Sequence, residues 1–294
     1  MEHKAGFVNI IGNPNVGKST LMNAFVGEKV SIITSKAQTT RHRILGIVNS
    51  DDFQMVYSDT PGILKPNYKL QKAMMKFVDT AISDADVILY VTDVVETFDK
   101  NDEYIQKVQK TSIPVILLIN KIDLTQQDKL EKLVNQWKDK LPNAQIFPVS
   151  AINKFNVDIV FKKILELLPE NPPYFPKDAL TDKTERFFVQ EIIREKIFLN
   201  YKKEIPYSVE VSVEEFKEEE AIIRIRAIIY VSRDSQKGII IGHQGKALKK
   251  VGTQARVDIE AFFDKHVYLQ LYTKVLKDWR NKDNSLRSFG YEQK

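Results

Sequence analysis

The residues best suited to chemistry sit near the start of the chain, in Gly12-Asn13-Pro14-Asn15-Val16-Gly17-Lys18-Ser19-Thr20. The spacing G-x-x-x-x-G-K-S turns the backbone so that successive N–H groups point at one anion, at the positive end of the following helix. Lys18 is spaced to reach β- and γ-phosphates, Ser19 to offer its hydroxyl to Mg²⁺, and Gly17 to let the backbone come close to a phosphate. The stretch therefore reads as a phosphate-binding loop.

Further polar signals follow, each at the end of an apolar run. In Asp59-Thr60-Pro61-Gly62 the carboxylate can hold Mg²⁺ through water and the Gly62 N–H can meet a γ-phosphate. In Asn120-Lys121-Ile122-Asp123 the Asp123 carboxylate can accept both N1–H and the exocyclic N2–H of guanine, an arrangement that adenine does not offer. At Ser150-Ala151 a backbone N–H can meet guanine O6. Between the first two signals, Thr34-Ser35-Lys36-Ala37-Gln38-Thr39-Thr40-Arg41 is too polar for a core and carries hydroxyls able to close over Mg²⁺ and a γ-phosphate, as a switch loop does.

These groups need a scaffold that brings strand ends together. Apolar runs at 7–11, 44–48, 53–57, 87–91, 115–119 and 146–149 alternate with amphipathic segments at 18–26, 69–82, 101–110, 130–140 and 157–168. Continuous apolar runs suit strands covered on both faces, so an α/β unit with a mostly parallel sheet is expected, its ligand beyond the carboxyl ends of the strands. Four prolines between Pro169 and Pro176 break any regular element. We place a nucleotide-binding domain at 1–170, a linker at 171–180 and a second domain at 181–294.

Beyond the linker the pattern changes. Val189, Ile193 and Ile197 recur at helical spacing, whereas Val209, Val211 and Val213, then Ile223, Ile225, Ala227 and Ile229, alternate with polar residues as strands with one wet face do. A helix before Gly242, another over 246–263 and a strand over 267–271 complete an α-β-β-α-α-β order. Gly242-His243-Gln244-Gly245 joins the two helices and is followed by Lys246, Lys249 and Lys250. There the backbone can approach a nucleic-acid strand while lysines and a helix N-terminus meet phosphates.

Composition narrows the classes. The chain has 294 residues and no cysteine, which excludes disulfides and thiolate chemistry; with four scattered histidines, any metal is expected on oxygen ligands. Its net charge of +5 is uneven, with 13 Lys+Arg against 7 Asp+Glu in residues 231–294, which suits an anionic partner. No apolar run is long enough to span a bilayer, and Met1 to Gly6 lead into a strand without a signal-peptide segment, so a cytoplasmic location is expected.

Together G-N-P-N-V-G-K-S, Q-T-T-R-H-R, D-T-P-G, N-K-I-D and S-A resemble the TRAFAC-class GTPases, and over most of the chain their spacing is similar to the Era family. The second domain resembles the type II KH fold, and the closing Asp278-Trp279-Arg280 and Ser288-Phe289-Gly290-Tyr291 are similar to Era C-termini. The resemblance implies slow hydrolysis of GTP to GDP with Mg²⁺ on Ser19, Thr40 and Asp59, and with Lys18, Thr40 and Gly62 at the reacting phosphate. It implies K⁺ beside Asn15, which matches an asparagine that in related GTPases helps hold that ion. Position 63 holds Ile63 where Ras-like proteins carry a water-positioning glutamine, and an isoleucine orients no water by hydrogen bonds. For the second domain the resemblance implies the 3′ end of small-subunit 16S rRNA as partner, a role in 30S subunit assembly, and a monomer in part peripheral on the cytoplasmic membrane. The rival reading is a membrane-surface regulatory GTPase whose second domain docks lipid or protein.

Overall fold

Largely apolar strands, the inner ones buried on both faces, form the first sheet. In the computed structural model, which describes residues 3–96 and 102–291, β1 (Lys4–Gly12), β2 (Ile44–Asn49), β3 (Phe53–Asp59), β4 (Val87–Asp93), β5 (Val115–Asn120) and β6 (Gln145–Pro148) lie in the order β2-β3-β1-β4-β5-β6. Only β2, paired with β3, runs antiparallel. β4 is buried along its whole length, as a central strand covered on both faces must be. The connecting helices are α1 (Lys18–Val26), α2 (Lys69–Ser83), α3 (Asp102–Gln109), α4 (Gln127–Lys140) and α5 (Val157–Leu167). Of the helix expected over 101–110, Asn101 lies outside the described residues. The register pairs Ile10 with Asp59, Gly12 with Val91, and Asp93 with Asn120. The carboxyl ends of four strands thus meet at one rim.

The proline-rich stretch is ordered without being a helix or strand. Gln54 Oε1 accepts the Tyr174 and Phe175 N–H groups, while its Nε2 donates to Phe175 O. Ile47 N donates to Leu180 O at 2.9 Å, Thr181 Oγ1 to Leu45 O at 2.6 Å, and Leu45 N to Asp182 Oδ1 at 3.0 Å. These bonds cover the outer edge of β2, which would otherwise present unpaired backbone groups. Residues up to Pro66 with Met74–Asp182 form one compact unit, and Asn67–Ala73 with the chain from Lys183 onward form the other.

In the second unit α6 (Glu185–Asn200) and α7 (Ile205–Ser208) precede β7 (Glu210–Glu218) and β8 (Ile222–Val231). Next come α8 (Asp234–Ile241), α9 (Lys246–Phe263), β9 (His266–Val275) and α10 (Asp283–Ser288). β7 and β8 are antiparallel, β8 and β9 parallel. Val189, Ile193 and Ile197 of α6 meet Val211 and Val213 of β7, Ile223, Ile225 and Ile229 of β8, and Val251, Ala255 and Ile259 of α9 in one core. The alternation of apolar residues in β7 and β8 follows from having that core on one face only. The last strand extends to Val275, four residues past the expected end, because the whole of β8 is available to pair with it.

Candidate nucleotide site and nucleic-acid interface

The loop after β1 is shaped by its backbone. Gly17 has φ +99, and a Cβ there would stand 2.1 Å from Asn120 Nδ2, so only glycine fits both the turn and the neighbour. Asn15 is also left-handed, with φ 66. Gly17 opens α1 with no side-chain cap, so the first-turn N–H groups of Lys18, Ser19 and Thr20 remain for a ligand. All three residues line a cleft of about 410 Å³ together with Pro14, Gln38 and Gly62. Gly62 lies so near the loop that a Cβ would come within 2.7 Å of the Pro14 backbone.

Two buried charges sit beneath this cleft. Lys18 Nζ donates to Gly12 O at 3.0 Å and Asn13 O at 2.7 Å. Burial pushes its ammonium down to about 8, against the pull of the Asp59 and Glu96 carboxylates. Asp59 is completely buried, and desolvation pushes its carboxyl up, opposed first by the Ser19 hydroxyl and then by Lys18. Its Oδ2 accepts Ser19 Oγ at 2.6 Å and Thr40 Oγ1 at 3.1 Å, and the two hydroxyls are 3.0 Å apart. Its Oδ1 is buried with no hydrogen bond of good geometry. Two hydroxyls and a carboxylate with an unused oxygen are a donor set for a hard divalent cation that keeps water and phosphate ligands, and Mg²⁺ fits it. Among the described residues no cluster of three or more His, Cys, Asp or Glu offers a different metal site.

The base-reading signals meet as well. Asn120 is buried, its Nδ2 donating to Val16 O at 2.8 Å and its Oδ1 accepting Ala151 N at 3.0 Å. Lys121, left-handed at φ 61, reaches Asn15 O at 2.6 Å and Asp93 Oδ2 at 2.5 Å. Asp123 accepts Ser150 Oγ at 2.6 Å through Oδ1, which leaves Oδ2 for a base. At Ser150-Ala151, Ala151 N donates to Asn120 Oδ1 and Ser150 N to Phe155 O at 3.3 Å, while the Ser150 hydroxyl donates to Asp123 and so orients its carboxylate. The neighbouring signal behaves similarly: Thr60 gives its hydroxyl to Ile10 O at 2.7 Å, tying β3 to β1 beside Pro61.

The loop 34–41 is not wholly a surface feature. Thr39, Thr40 and Arg41 are buried, Arg41 completely, because the segment folds inward toward Asp59. Asn15 Nδ2 donates to Ser35 O at 3.0 Å, linking this loop to the phosphate loop. Ile63 is buried too, and its N–H donates to Gly12 O at 3.0 Å. Asp93 and Glu96 went unnoticed in the sequence. The signal was available, since Asp93 ends β4 as Asp59 ends β3.

In the second unit, Gly242 (φ 71), Gln244 (φ 51) and Gly245 (φ 74) carry the chain from α8 into α9, with His243 and Gln244 exposed. Lys246, Lys249 and Lys250 are exposed on the first turns of α9, whose N-terminus has no side-chain cap. Beside them a shallow cleft of about 360 Å³ is lined by Gly245, Leu248, Lys249, Gly252, Arg256, Leu269 and Leu271. Leu248, Gly252 and Arg256 share the Lys249 side of α9 at helical spacing, a pattern that sequence reasoning passed over. An apolar floor with a cationic rim suits unstacked bases and the phosphates that join them.

Residues 7–121 match a family described as 50S ribosome-binding GTPase, and residues 204–280 match the KH domain family. GTPase Era of Staphylococcus haemolyticus is 47% identical over 292 residues, covering 99% of this chain and 98% of that protein. Its namesake in Staphylococcus epidermidis is 46% identical over the same shares. Among solved structures, Era in complex with MgGDPNP and nucleotides 1506–1542 of 16S ribosomal RNA superposes with a TM-score of 0.94 at 39% identity, covering 99% of this chain and all of that one. A tyrosine-to-alanine variant of Aquifex aeolicus Era bound to GDP and aluminium fluoride gives 0.94 at 40% identity, with the same coverage. The phosphate loop, the Ser19–Thr40–Asp59 oxygens, the N-K-I-D corner and the glycine loop of a KH domain thus stand in one chain alongside full-length relatives, and the chain belongs to the Era family of GTPases.

Proposed function

We propose that this GTPase binds Mg²⁺–GTP in the cleft above Lys18 and uses its hydrolysis to govern RNA binding at the G-H-Q-G loop, with the 3′ end of 16S rRNA as the RNA and 30S subunit assembly in the cytoplasm as the process. The observation that carries the nucleotide half is Asp59 Oδ2, which receives Ser19 and Thr40 together. This links the phosphate loop to the switch loop at one carboxylate. Ser19, Thr40 and Asp59 would hold Mg²⁺, which when bound neutralises charge on the β- and γ-phosphate oxygens.

The remaining work falls to the chain's own groups. Free N–H groups at the start of α1 bind phosphate oxygens, and Lys18 exchanges its two carbonyl partners for them, so its charge becomes available only when a ligand arrives. Gly62, pressed against Pro14, presents its backbone beside Thr40 at the outer phosphate, and these two are the groups that position water. Ile63 cannot, being apolar and buried. Asn15, already bonded to the switch loop, is placed to hold K⁺ at that side of the phosphates, where a cation supplies charge that no arginine provides. Asn120 and Ser150 hold the corner from which Asp123 reads guanine.

The test is one binding series with GTP, GDP and ATP, each with and without an oligonucleotide of the 16S rRNA 3′ end. GTP and GDP should bind and ATP should not, and the oligonucleotide should bind more tightly to the GTP-loaded protein. Equal binding of ATP, or RNA affinity indifferent to the nucleotide, defeats the reading. GTP turnover should rise in K⁺ relative to Na⁺, and equal rates would leave Asn15 only a loop-shaping role.

A further inference from the structure

Beyond the nucleotide motifs, the turn after β4 touches both halves of the cleft. Asp93 Oδ1 accepts the N–H groups of Val95 and Glu96, each at 2.8 Å, so the carboxylate closes the turn on itself. Its Oδ2 holds Lys121 Nζ, the same atom that reaches Asn15 O. Val94 N donates to Asn120 O at 3.2 Å. Glu96 then reaches the other end of the phosphate loop, where Oε2 accepts Asn13 Nδ2 at 2.8 Å and Oε1 accepts Thr92 Oγ1 at 2.5 Å. Four residues therefore grip the phosphate loop at Asn13 and, through Lys121, at Asn15, and the base-reading corner at Asn120 and Lys121.

Two carboxylates beside a polyphosphate site carry an electrostatic cost, since like charges repel most where water is excluded. Asp93 has its charge balanced by Lys121 and is almost fully buried. Glu96 accepts from Asn13 and Thr92, and its charge also acts on the Lys18 ammonium. Groups placed against the field of the ligand are explained by what they hold.

We propose that Asp93 and Glu96 are positioning residues that set the spacing between the phosphate cradle and the guanine reader, Glu96 through Asn13 and Asp93 through Lys121. The inference rests on the guanine-nucleotide reading of the cleft, which wild-type selection of GTP over ATP tests separately.

Full-length protein carrying Asp93→Asn, Glu96→Ala, Glu96→Gln, Asn13→Ala or Asn13→Ala with Glu96→Ala would be titrated with GTP, GDP and inosine triphosphate, which lacks the exocyclic amine. Asp93→Asn keeps an acceptor for the Val95 and Glu96 amides, so the turn survives while the ion pair to Lys121 is lost. Its GTP affinity should fall roughly tenfold and the preference for GTP over inosine triphosphate should shrink, because a displaced Asp123 loses two bonds to guanine and one to hypoxanthine. Glu96→Ala should weaken GTP and GDP alike by about fivefold to tenfold with the base preference unchanged, Glu96→Gln should recover most of that, and Asn13→Ala should add nothing in the Glu96→Ala background. A general loss of stability would leave the preference for GTP over inosine triphosphate unchanged in Asp93→Asn and would deny Glu96→Ala its Gln rescue. Either of those outcomes, additive effects of Asn13 and Glu96, or wild-type affinities in Asp93→Asn and Glu96→Ala would overturn the proposal.

Discussion

The chain begins two helices in the same way and uses them differently. α1 opens on Gly17-Lys18 and α9 on Gly245-Lys246; both glycines are left-handed, at φ +99 and +74, and neither helix has a side-chain cap. Each start offers uncapped N–H groups to an anion by the same physics. What surrounds them differs. A Cβ at Gly17 would meet Asn120 Nδ2 at 2.1 Å, whereas one at Gly245 would find nothing within 4 Å. Lys18 is buried with two partners of its own, and Lys246, Lys249 and Lys250 stand in water. A framed start suits one ligand of fixed length. An open one suits a polymer that passes across it.

The sharpest way to break that contrast is to put the same methyl group on both glycines. Left-handed backbone costs an L residue about 1–2 kcal/mol in either place. Gly17→Ala adds a collision with Asn120, so GTP affinity should fall on the order of a hundredfold or more, while Gly245→Ala should lower RNA affinity by roughly tenfold at most. Calorimetric titration with each ligand reads the difference. Comparable losses in the two variants would mean that framing is not what separates the sites.

Next in size is the base-reading corner. Asp123→Asn should lower GTP affinity between tenfold and a hundredfold, as loss of a charged, paired acceptor typically costs on the order of 1.5–3 kcal/mol. It should improve binding of xanthosine triphosphate, whose C2 carbonyl can accept from the new amide. Ser150→Ala should produce a smaller version of the same loss, since it removes only the hydroxyl that orients Asp123. Unchanged GTP affinity in Asp123→Asn would remove Asp123 from the site.

These outcomes bear on what a linear reading can see. The first sheet was legible because most of its strands are largely apolar runs, and the phosphate-loop, D-T-P-G and N-K-I-D motifs because each ends one, so Asp59 and Asn120 could be placed at a rim from the sequence. The α-β-β-α-α-β order was legible because alternation in β7 and β8 differs in period from the stripe on α6. What stayed hidden depends on partners far apart in the chain. Ser150 and Asp123 are 27 residues apart, Asn13 and Glu96 are 83 apart, and Gln54 and Phe175 are 121 apart; nothing local in either member signals the other. Burial of Arg41 was hidden for a related reason, because a polar loop reads as surface until the buried carboxylate it folds toward is known.

The two glycines of the RNA loop refine the contrast within the second unit. At Gly242 a Cβ would stand 2.6 Å from Ala247 Cβ, so Gly242→Asp should lower the melting temperature as well as RNA affinity. Gly245→Asp should lower only the affinity, roughly tenfold, through charge and bulk in open space. In the unaltered protein, if about three phosphates are neutralised, log affinity for a single strand should fall with log salt at a slope near −2. Basal GTP turnover should be the same in Gly245→Asp and wild type. Tight RNA binding by a folded Gly245→Asp protein would move the interface elsewhere.

The smallest effect tests what burial does to the framed lysine. The Lys18 ammonium is pushed down to about 8 from an ordinary 10.5, with burial the leading cause. Between those values the unfolded chain holds a proton that the folded chain has lost, so stability of the ligand-free protein rises with pH across that window; below about 8 the full cost of the buried charge is present. Asp59 acts in a separate range, since its raised carboxyl makes stability fall as pH rises from the ordinary carboxylate value toward the folded one. Lys18→Met keeps the side-chain volume and removes the charge. Without nucleotide or Mg²⁺ it should therefore melt a few degrees higher than wild type at pH 7, at about 2–4 °C per kcal/mol, less whatever Asp59 loses with its cation. The rise of melting temperature between pH 8 and 10.5 should flatten in that variant and persist in Lys249→Met, whose lysine is exposed. Parallel curves for wild type and Lys18→Met would show that the buried lysine is no strain on the empty fold, and that its charge is not held ready by the same burial that frames the phosphate.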